Sequence, residues 1–262
     1  MASRLFIPPP RSVYDRAGAG TDYFGTSSYA TYNYLGGGLV GTVKTRHFEV
    51  ALRLAQALGV KGDVVDFGCA DGILLASLDR LYDSVAAVDI RPDFIAIADA
   101  VVDELGLSCT TTFCTEGLDW GEVVDKLGPG TKSALFLLET LEHVGEREAF
   151  YRSKIDFLQQ LSALLKPDGV ILVSVPNMVG LPLLAQRVVL AATRKYREPL
   201  SMGELARGVL LHDVSGLEQR WTNIDHLGFN HRLLEKALKP SFTIERRRNI
   251  GVNVVYAVRP IR

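Results

Sequence analysis

Between residues 64 and 175 short apolar runs alternate with segments of helical period, and no other feature of this chain narrows its architecture so far. Val64-Val65-Asp66-Phe67, Val85 to Ile90, Ser133 to Leu138 and Val170 to Val175 are too short for helices. They are apolar on both faces, as strands buried between two helical layers must be. Asp71 to Arg80, Pro92 to Leu105 and Arg147 to Leu165 carry the helical spacing between them. The second of these starts on Pro92 and is followed by Gly106. The third is stopped by Lys166-Pro167-Asp168-Gly169. Cys109 to Cys114 reads as a further strand and Leu118 to Leu127 as a helix. A strand-helix-strand alternation of this kind folds as an α/β domain, a doubly wound parallel sheet with helices on both faces.

The flanks differ. Residues 1–38 are rich in Gly, Ser, Thr and Tyr with weak periodicity, and include Tyr14, Tyr23, Tyr29, Tyr32 and Tyr34. They are expected to form an irregular arm or lid on the domain, which then spans 39–262. Val40 to Leu58 has helical spacing and ends at Gly59. After Pro176 the strand pattern stops, and 178–228 reads as an inserted helical cap. His231 to Leu238 is helical, and Thr243 to Asn249 with Asn253 to Val258 forms a hairpin turning near Gly251.

Charge excludes some partners. The formal net charge is −1, so no clustered basic surface for nucleic acid is expected. Arg246-Arg247-Arg248 would be split between two faces of a strand, a solvated edge. No stretch reaches the ~18 apolar residues of a membrane span, and Met1 to Arg11 lacks the apolar core of a signal peptide. Cys69, Cys109 and Cys114 make no disulfide framework, which fits a reducing cytoplasm.

Chemistry is concentrated at the first strand-helix junction, Asp66-Phe67-Gly68-Cys69-Ala70-Asp71-Gly72. Small residues there let the backbone turn sharply and approach a ligand, and the following helix offers free N–H groups. Val88-Asp89-Ile90 ends the second strand with an acid about twenty residues on, at a distance that suits a ribose. A nicotinamide fingerprint would need Gly at 70 and 73, where Ala70 and Ile73 stand. Asp66, just before the turn, would oppose a pyrophosphate but suits a cationic aminoacyl group.

The turn resembles the Asp-x-Gly-Cys-Gly-x-Gly signature of class I S-adenosylmethionine-dependent methyltransferases, with Ala70 replacing the central glycine. Val88-Asp89-Ile90 is similar to their second motif. Glu139-Thr140-Leu141-Glu142-His143-Val144 resembles the stretch after strand four in the small-molecule branch related to ubiquinone-biosynthesis O-methyltransferases. Leu164-Leu165-Lys166-Pro167-Asp168-Gly169 resembles their turn before strand five. The resemblance covers roughly residues 45–176. It implies a Rossmann-like seven-stranded, mostly parallel sheet ending in an antiparallel hairpin, and S-adenosylmethionine as cofactor. It also implies site roles. Gly68, Ala70 and Gly72 would lie against the methionine part, and Asp66 would face its amino group. Asp89 would hold the ribose hydroxyls with Ile90 against the adenine. Glu116-Gly117 would stand near the adenine amino group, and Glu139 at the methionine end.

For the reacting end, His143 is the candidate base, with a structural anchor as its alternative. Glu139, Glu142 and His143, if helical, share one face. With His226 they would make a set for a divalent metal, similar to small-RNA ribose methyltransferases and certain ubiquinone enzymes; the reading preferred here is metal-free. The Asn/Asp-Pro-Pro-aromatic motif of nucleic-acid and protein amide methylation is absent, and Pro176-Asn177 follows strand five as in small-molecule relatives. The expected function is methyl transfer to an oxygen or nitrogen of a small-molecule acceptor. Its rivals are a metal-assisted O-methyltransferase, a non-catalytic cofactor-binding protein of the same fold and a nicotinamide dehydrogenase. Leu183, Arg187, Leu190 and Arg194 suggest a packed lid helix in the cap. Trp221, His212, His226 and His231 either reach the pocket or are structural.

Overall fold

The computed structural model describes residues 4–19, 22–23, 25–36, 38–192, 200–221 and 226–262. The chain begins with α1 (Arg11–Ala17), α2 (Tyr29–Asn33) and α3 (Gly38–Ala57). There follow β1 (Asp63–Phe67), α4 (Leu75–Leu81), β2 (Ser84–Asp89), α5 (Pro92–Leu105), β3 (Thr110–Cys114), α6 (Trp120–Leu127) and β4 (Lys132–Leu138). Next come α7 (Phe150–Leu161), β5 (Leu165–Pro176), α8 (Leu181–Ala192) and α9 (Met202–Ala206). The chain closes with α10 (His231–Leu238), β6 (Phe242–Asn249) and β7 (Asn253–Pro260).

The strands make one seven-stranded sheet in the order β3-β2-β1-β4-β5-β7-β6, parallel except for β7, which runs against both neighbours. Alternate strand residues build two apolar layers. On one face Val64, Phe136 and Leu172 meet Leu52 of α3, Leu78 of α4 and Ile97 of α5. On the other, Val65, Leu137 and Val173 meet Leu158 of α7 and Leu234 of α10. Chain order reverses between β1 and β4. The crevice beyond their carboxyl ends is therefore the switch point at which α/β sheets take ligands.

Local signals explain most element boundaries. Pro92 opens α5, and Gly106 closes it in the left-handed conformation at φ 61°. Asp119 and Glu122 form a reciprocal capping box, so α6 starts at Trp120 rather than at Leu118. α4 begins only at Leu75, because residues 71–74 remain in the turn after β1. Lys166 to Gly169 does not end the helix directly. α7 stops at Leu161 and a 3-10 turn, Ser162–Leu164, leads into β5. Leu165 pairs with Lys132 and Val170 with Ala134, so the four residues between loop out of the ladder. The arm is less irregular than its composition predicts. Ser28 caps α2 by accepting from the Thr31 N–H, and α1 and α2 pack on the first apolar layer through Val13, Tyr14 and Ala30. Arg246 to Arg248 lie exposed on the edge strand β6, as expected. No helix among the described residues is long and apolar enough to cross a membrane. Arg194 and Asp225 lie outside the described residues.

Candidate active site

The turn after β1 is welded to the end of β2. The N–H groups of Gly68 and Cys69 both donate to the Val88 carbonyl, at 2.7 and 3.0 Å. The Ala70 N–H donates to Asp89 Oδ2 at 2.9 Å, and the Arg91 N–H to Asp89 Oδ1 at 3.0 Å. Parallel pairing of Phe67 with Val88 brings these segments together. Gly68 is a true requirement. Its φ is 81°, and a Cβ there would lie 2.4 Å from the Thr140 side chain at the end of β4. Ala70 has the same left-handed sense, at φ 47°, which costs a non-glycine residue roughly 1–2 kcal/mol. Ala70→Gly is therefore expected to raise the unfolding free energy by a net ~0.5–1 kcal/mol, read as a higher urea midpoint at unchanged slope, after the extra freedom of an unfolded glycine is subtracted. A variant less stable than the parent would show that the turn is not strained.

Three carboxyls are buried around this turn: Asp66, Asp71 and Asp89. None makes an ion pair among the described residues. Burial, with Asp89 as the second cause, pushes Asp66 up to about 7. Burial pushes Asp71 up to about 6, opposed by hydrogen bonds from the Ala30 N–H and Ser28. Asp89 is raised by burial and drawn back by its backbone donors. Asp71 is a further candidate site residue, which sequence reasoning left inside a helix. Its Oδ2 accepts from the Ala30 N–H at 2.6 Å and ties α2 to the turn, while its Oδ1 has no partner. Such a cluster is complementary to a buried cation. Beside it Ile90, 66% exposed, presents an apolar face to solvent at the end of β2. Glu116 and Gly117 stand exposed one strand further out, beyond the Thr115 N–H that donates to the Asp89 carbonyl at 2.9 Å.

The end of β4 departs from the helical reading. Glu139 is left-handed at φ 55°, and only Leu141–His143 form a single 3-10 turn. Glu139 is thus separated from the face that Glu142 and His143 share. Its Oε1 accepts from Ser174 Oγ at 2.9 Å, Asn253 bonds it as well, and its own N–H donates to Ser174 Oγ at 3.0 Å. Glu142 is fully buried and neither carboxyl oxygen has a hydrogen-bond partner. Its Oε1 lies 3.5 Å from His226 Nδ1 and 3.9 Å from His143 Nε2, and the two imidazole centroids are 5.0 Å apart. Burial raises Glu142 well above the carboxylate range and, with His143 as the second cause, lowers His226 to about 3. The neutral forms of this pair therefore prevail unless a cation enters. Lys154 supports the turn from below. Its Nζ donates to the Val144 carbonyl at 2.7 Å and lies 4.1 Å from the Phe150 ring centroid and 5.1 Å from that of Trp221.

Of the four residues proposed as a metal set, Glu142, His143 and His226 bring one ligand atom each within 4.8 Å of one another, and Glu139 does not join them. Ser174 and Asn253 were missed. A serine inside the apolar run Val170 to Val175 was the available signal for the first; nothing local marked the second.

Residues 42–223 match the family described as methyltransferase domain. The chain is 28% identical over 218 residues to the ubiquinone biosynthesis O-methyltransferase of Xanthomonas euvesicatoria pv. vesicatoria (strain 85-10), covering 76% of this chain and 82% of that protein. It is 29% identical over 197 residues to the protein of the same name from Xanthomonas axonopodis pv. citri (strain 306), covering 68% and 76% respectively. Among solved structures it is similar to a Pyrococcus horikoshii OT3 protein, with a TM-score of 0.57 and 15% identity over 95% of this chain and 98% of that one. It is similar too to the magnesium protoporphyrin IX methyltransferase of Synechocystis PCC 6803 with bound SAH, with a TM-score of 0.53 and 12% identity over 94% and 92%. At these identities the structural likeness concerns the fold alone.

Proposed function

Since this chain belongs to the methyltransferase-domain family, and so is an S-adenosylmethionine-dependent methyltransferase, we propose that it methylates an oxygen or nitrogen of a small-molecule acceptor, with His143 as the base. The observation that carries the reading of the cofactor site is the unpaired acidic cluster. Asp66, Asp71 and Asp89 are buried and none makes an ion pair among the described residues, which suits a ligand with an ammonium and a sulfonium. The exposed face of Ile90 beside Asp89 fits the adenine in the same way.

When bound, the cofactor supplies an electrophilic methyl group, and the chain's task is positioning and proton removal. Asp66 faces the amino group through the turn. Gly68, Ala70 and Gly72 allow close approach of the backbone, Asp89 holds the ribose hydroxyls, and Glu116 with Gly117 borders the adenine. Glu139, anchored by Ser174 and Asn253, closes the methionine end. His143 would take the acceptor's proton on its imidazole and be left as imidazolium. On this reading the described residues of 178–228 cap the acceptor side and those of 1–38 cover the donor side, which excludes water. The name of the Xanthomonas relatives puts hydroxyl acceptors first. Labelled methyl donor and a panel of hydroxyl- and amine-bearing small molecules test this reading, which is lost if no acceptor is methylated by a protein that binds the donor.

A second reading has its own observation, the approach of Glu142, His143 and His226 within 4.8 Å. A divalent cation there would be held by one carboxylate and two imidazoles, a set that suits a borderline ion better than a hard one, and would polarise the acceptor oxygen. On the metal-free reading turnover is expected to be unchanged by a strong chelator. Loss of activity restored by a divalent cation would exchange the two readings.

A further inference from the structure

Away from the acidic crevice the structure holds a second concave site of opposite character. A cavity of about 300 Å3 opens where the amino ends of α8 and α10 meet the end of β6. Gly180 and Pro182 line it from α8, His231 and Arg232 from α10, and Arg247 from β6. Helix amino ends carry the positive end of the dipole, although at α10 the Arg232 N–H is already taken by the cap Asn230, at 3.0 Å, and Pro182 in α8 has no N–H. Two such ends and two guanidinium groups share this space, and no carboxylate lines it. Arg247 is held by Glu235, Nε to Oε1 at 2.8 Å, and the same oxygen accepts from the Tyr256 hydroxyl at 2.7 Å. Arg232 makes no ion pair among the described residues.

Two buried side chains in the lining keep a polar atom without a partner. Asn177 is 6% exposed with its Oδ1 unbonded, and His231 is 2% exposed with its Nδ1 unbonded. Asn177 Nδ2 donates to the Gly251 carbonyl at 2.9 Å, which leaves Oδ1 as an acceptor awaiting a donor. Orphaned atoms of this kind cost roughly 1–3 kcal/mol each unless a ligand satisfies them. The wall beside them is built under strain. His212 is left-handed at φ 54°, its carbonyl accepts from Asn230 Nδ2 at 3.0 Å, and a Cβ on Gly180 would lie 2.8 Å from His212 Nε2. Backbone strain in a non-glycine residue persists where its surroundings enforce it, often at ligand sites.

We propose that this cavity binds an anionic group, a phosphate monoester or carboxylate carried on a hydroxyl-bearing small molecule. The guanidinium groups and helix ends take the negative oxygens, and Asn177 Oδ1 accepts from a ligand hydroxyl. The donor crevice, lined by buried acids, repels such a group, so the two sites do not compete. The anion is either the far end of the methyl acceptor or a separate effector, and the cavity serves both.

Calorimetry on the full chain with inorganic phosphate, glycerol 3-phosphate and acetate tests the proposal. Saturable binding is expected, tightest for glycerol 3-phosphate because it brings hydroxyls to Asn177. Arg232→Ala should weaken it about tenfold or more, and Arg232→Glu should abolish it, with S-adenosylmethionine binding unchanged. Asn249→Asp is a second variant, for use if Arg232→Glu fails to fold. Asn249 also lines the cavity and its Oδ1 accepts from the Gly251 N–H at 3.0 Å, so aspartate keeps that bond while adding a negative charge that should weaken the anion. No saturable binding, or equal binding by parent and both charge variants, overturns the site. Once an acceptor is in hand, phosphate that raises its KM at constant kcat identifies the acceptor's own anionic end. Phosphate that binds and leaves both constants unchanged identifies a separate ligand.

Discussion

Asp66→Asn is expected to move stability and ligand affinity in opposite directions: the free protein melts higher and binds S-adenosylmethionine more weakly. The folded protein holds the Asp66 carboxyl at about 7, chiefly by burial and then by Asp89. A carboxyl raised by folding is at home in its protonated form. Its contribution to stability is complete below the ordinary carboxylate range and is lost as pH rises through about 7. At pH 8 the ionised group therefore weighs against the fold, on the order of 2–4 kcal/mol before any relaxation. Asparagine removes the charge, although its amide must find partners, so a gain of about 1–3 kcal/mol is expected, a rise of a few degrees in Tm. On the proposed reading the same charge attracts the donor's ammonium. Its loss should weaken donor binding by roughly ten- to a hundredfold. Two pH signatures accompany the substitution. The parent should bind the donor more tightly from pH 5 to pH 8 and release protons on binding, as calorimetry in buffers of different ionisation enthalpy would register. The variant should show much less of either. A variant that melts lower, or that binds the donor as the parent does, removes the idea that this acid is held in strain for a cation.

The same physics decides what the sequence could foretell. Asp66 and Asp89 sit at the ends of neighbouring strands, and strand pairing alone converts their spacing into proximity, so the donor side was legible from motif and register. The apolar alternation likewise implied two buried layers, and the structure has them. Asp71 was harder. Its role depends on the Ala30 N–H, forty-one residues earlier, in an arm whose composition suggested no helix. At the end of β4 a local rule misled. Three residues at helical spacing share a face only if the backbone is helical, and Glu139 leaves that region because Ser174 and Asn253, from β5 and β7, hold it elsewhere. The anion cavity was hidden, since α8 is separated in sequence from the consecutive elements α10 and β6 and none of the three carries a motif. The described non-glycine residues with positive φ are Ala70, Glu139 and His212. One lies in the donor turn, one at the reacting end and one in the cavity wall. Steric strain of this kind comes from long-range contacts, which is why no single-sequence pattern announces it.

His143→Ala is expected to lower kcat by about a hundredfold or more, the usual contribution of a positioned base, while donor affinity stays within about twofold. His143 follows Glu142 in the 3-10 turn and keeps part of its surface open to solvent, so truncation opens no sealed cavity. Stability should fall by less than ~1 kcal/mol. This separates the two meanings the residue can have. A structural anchor lost from the turn would lower Tm and disturb Glu142 and His226 beside it, and donor binding would suffer with turnover. A lost base leaves the fold and the donor site alone and changes the pH profile. The variant's rate should rise steadily with pH as the acceptor hydroxyl ionises unaided. Added imidazole should restore part of the variant's rate, because the half-open site admits a small base. An acceptor that is already ionised should hardly distinguish parent from variant, since no proton then needs removing. Full turnover by the variant on a neutral hydroxyl acceptor would assign the proton to another group, such as Glu142, 3.9 Å from His143 Nε2, or His226, 5.0 Å away between ring centroids. His226 is lowered to about 3, largely by burial, and so stays neutral across the working range while accepting a proton poorly. The two imidazoles are equally exposed, 28% and 29%, so the choice of His143 rests on the lowering of His226 and on the place of His143 in the turn that follows β4.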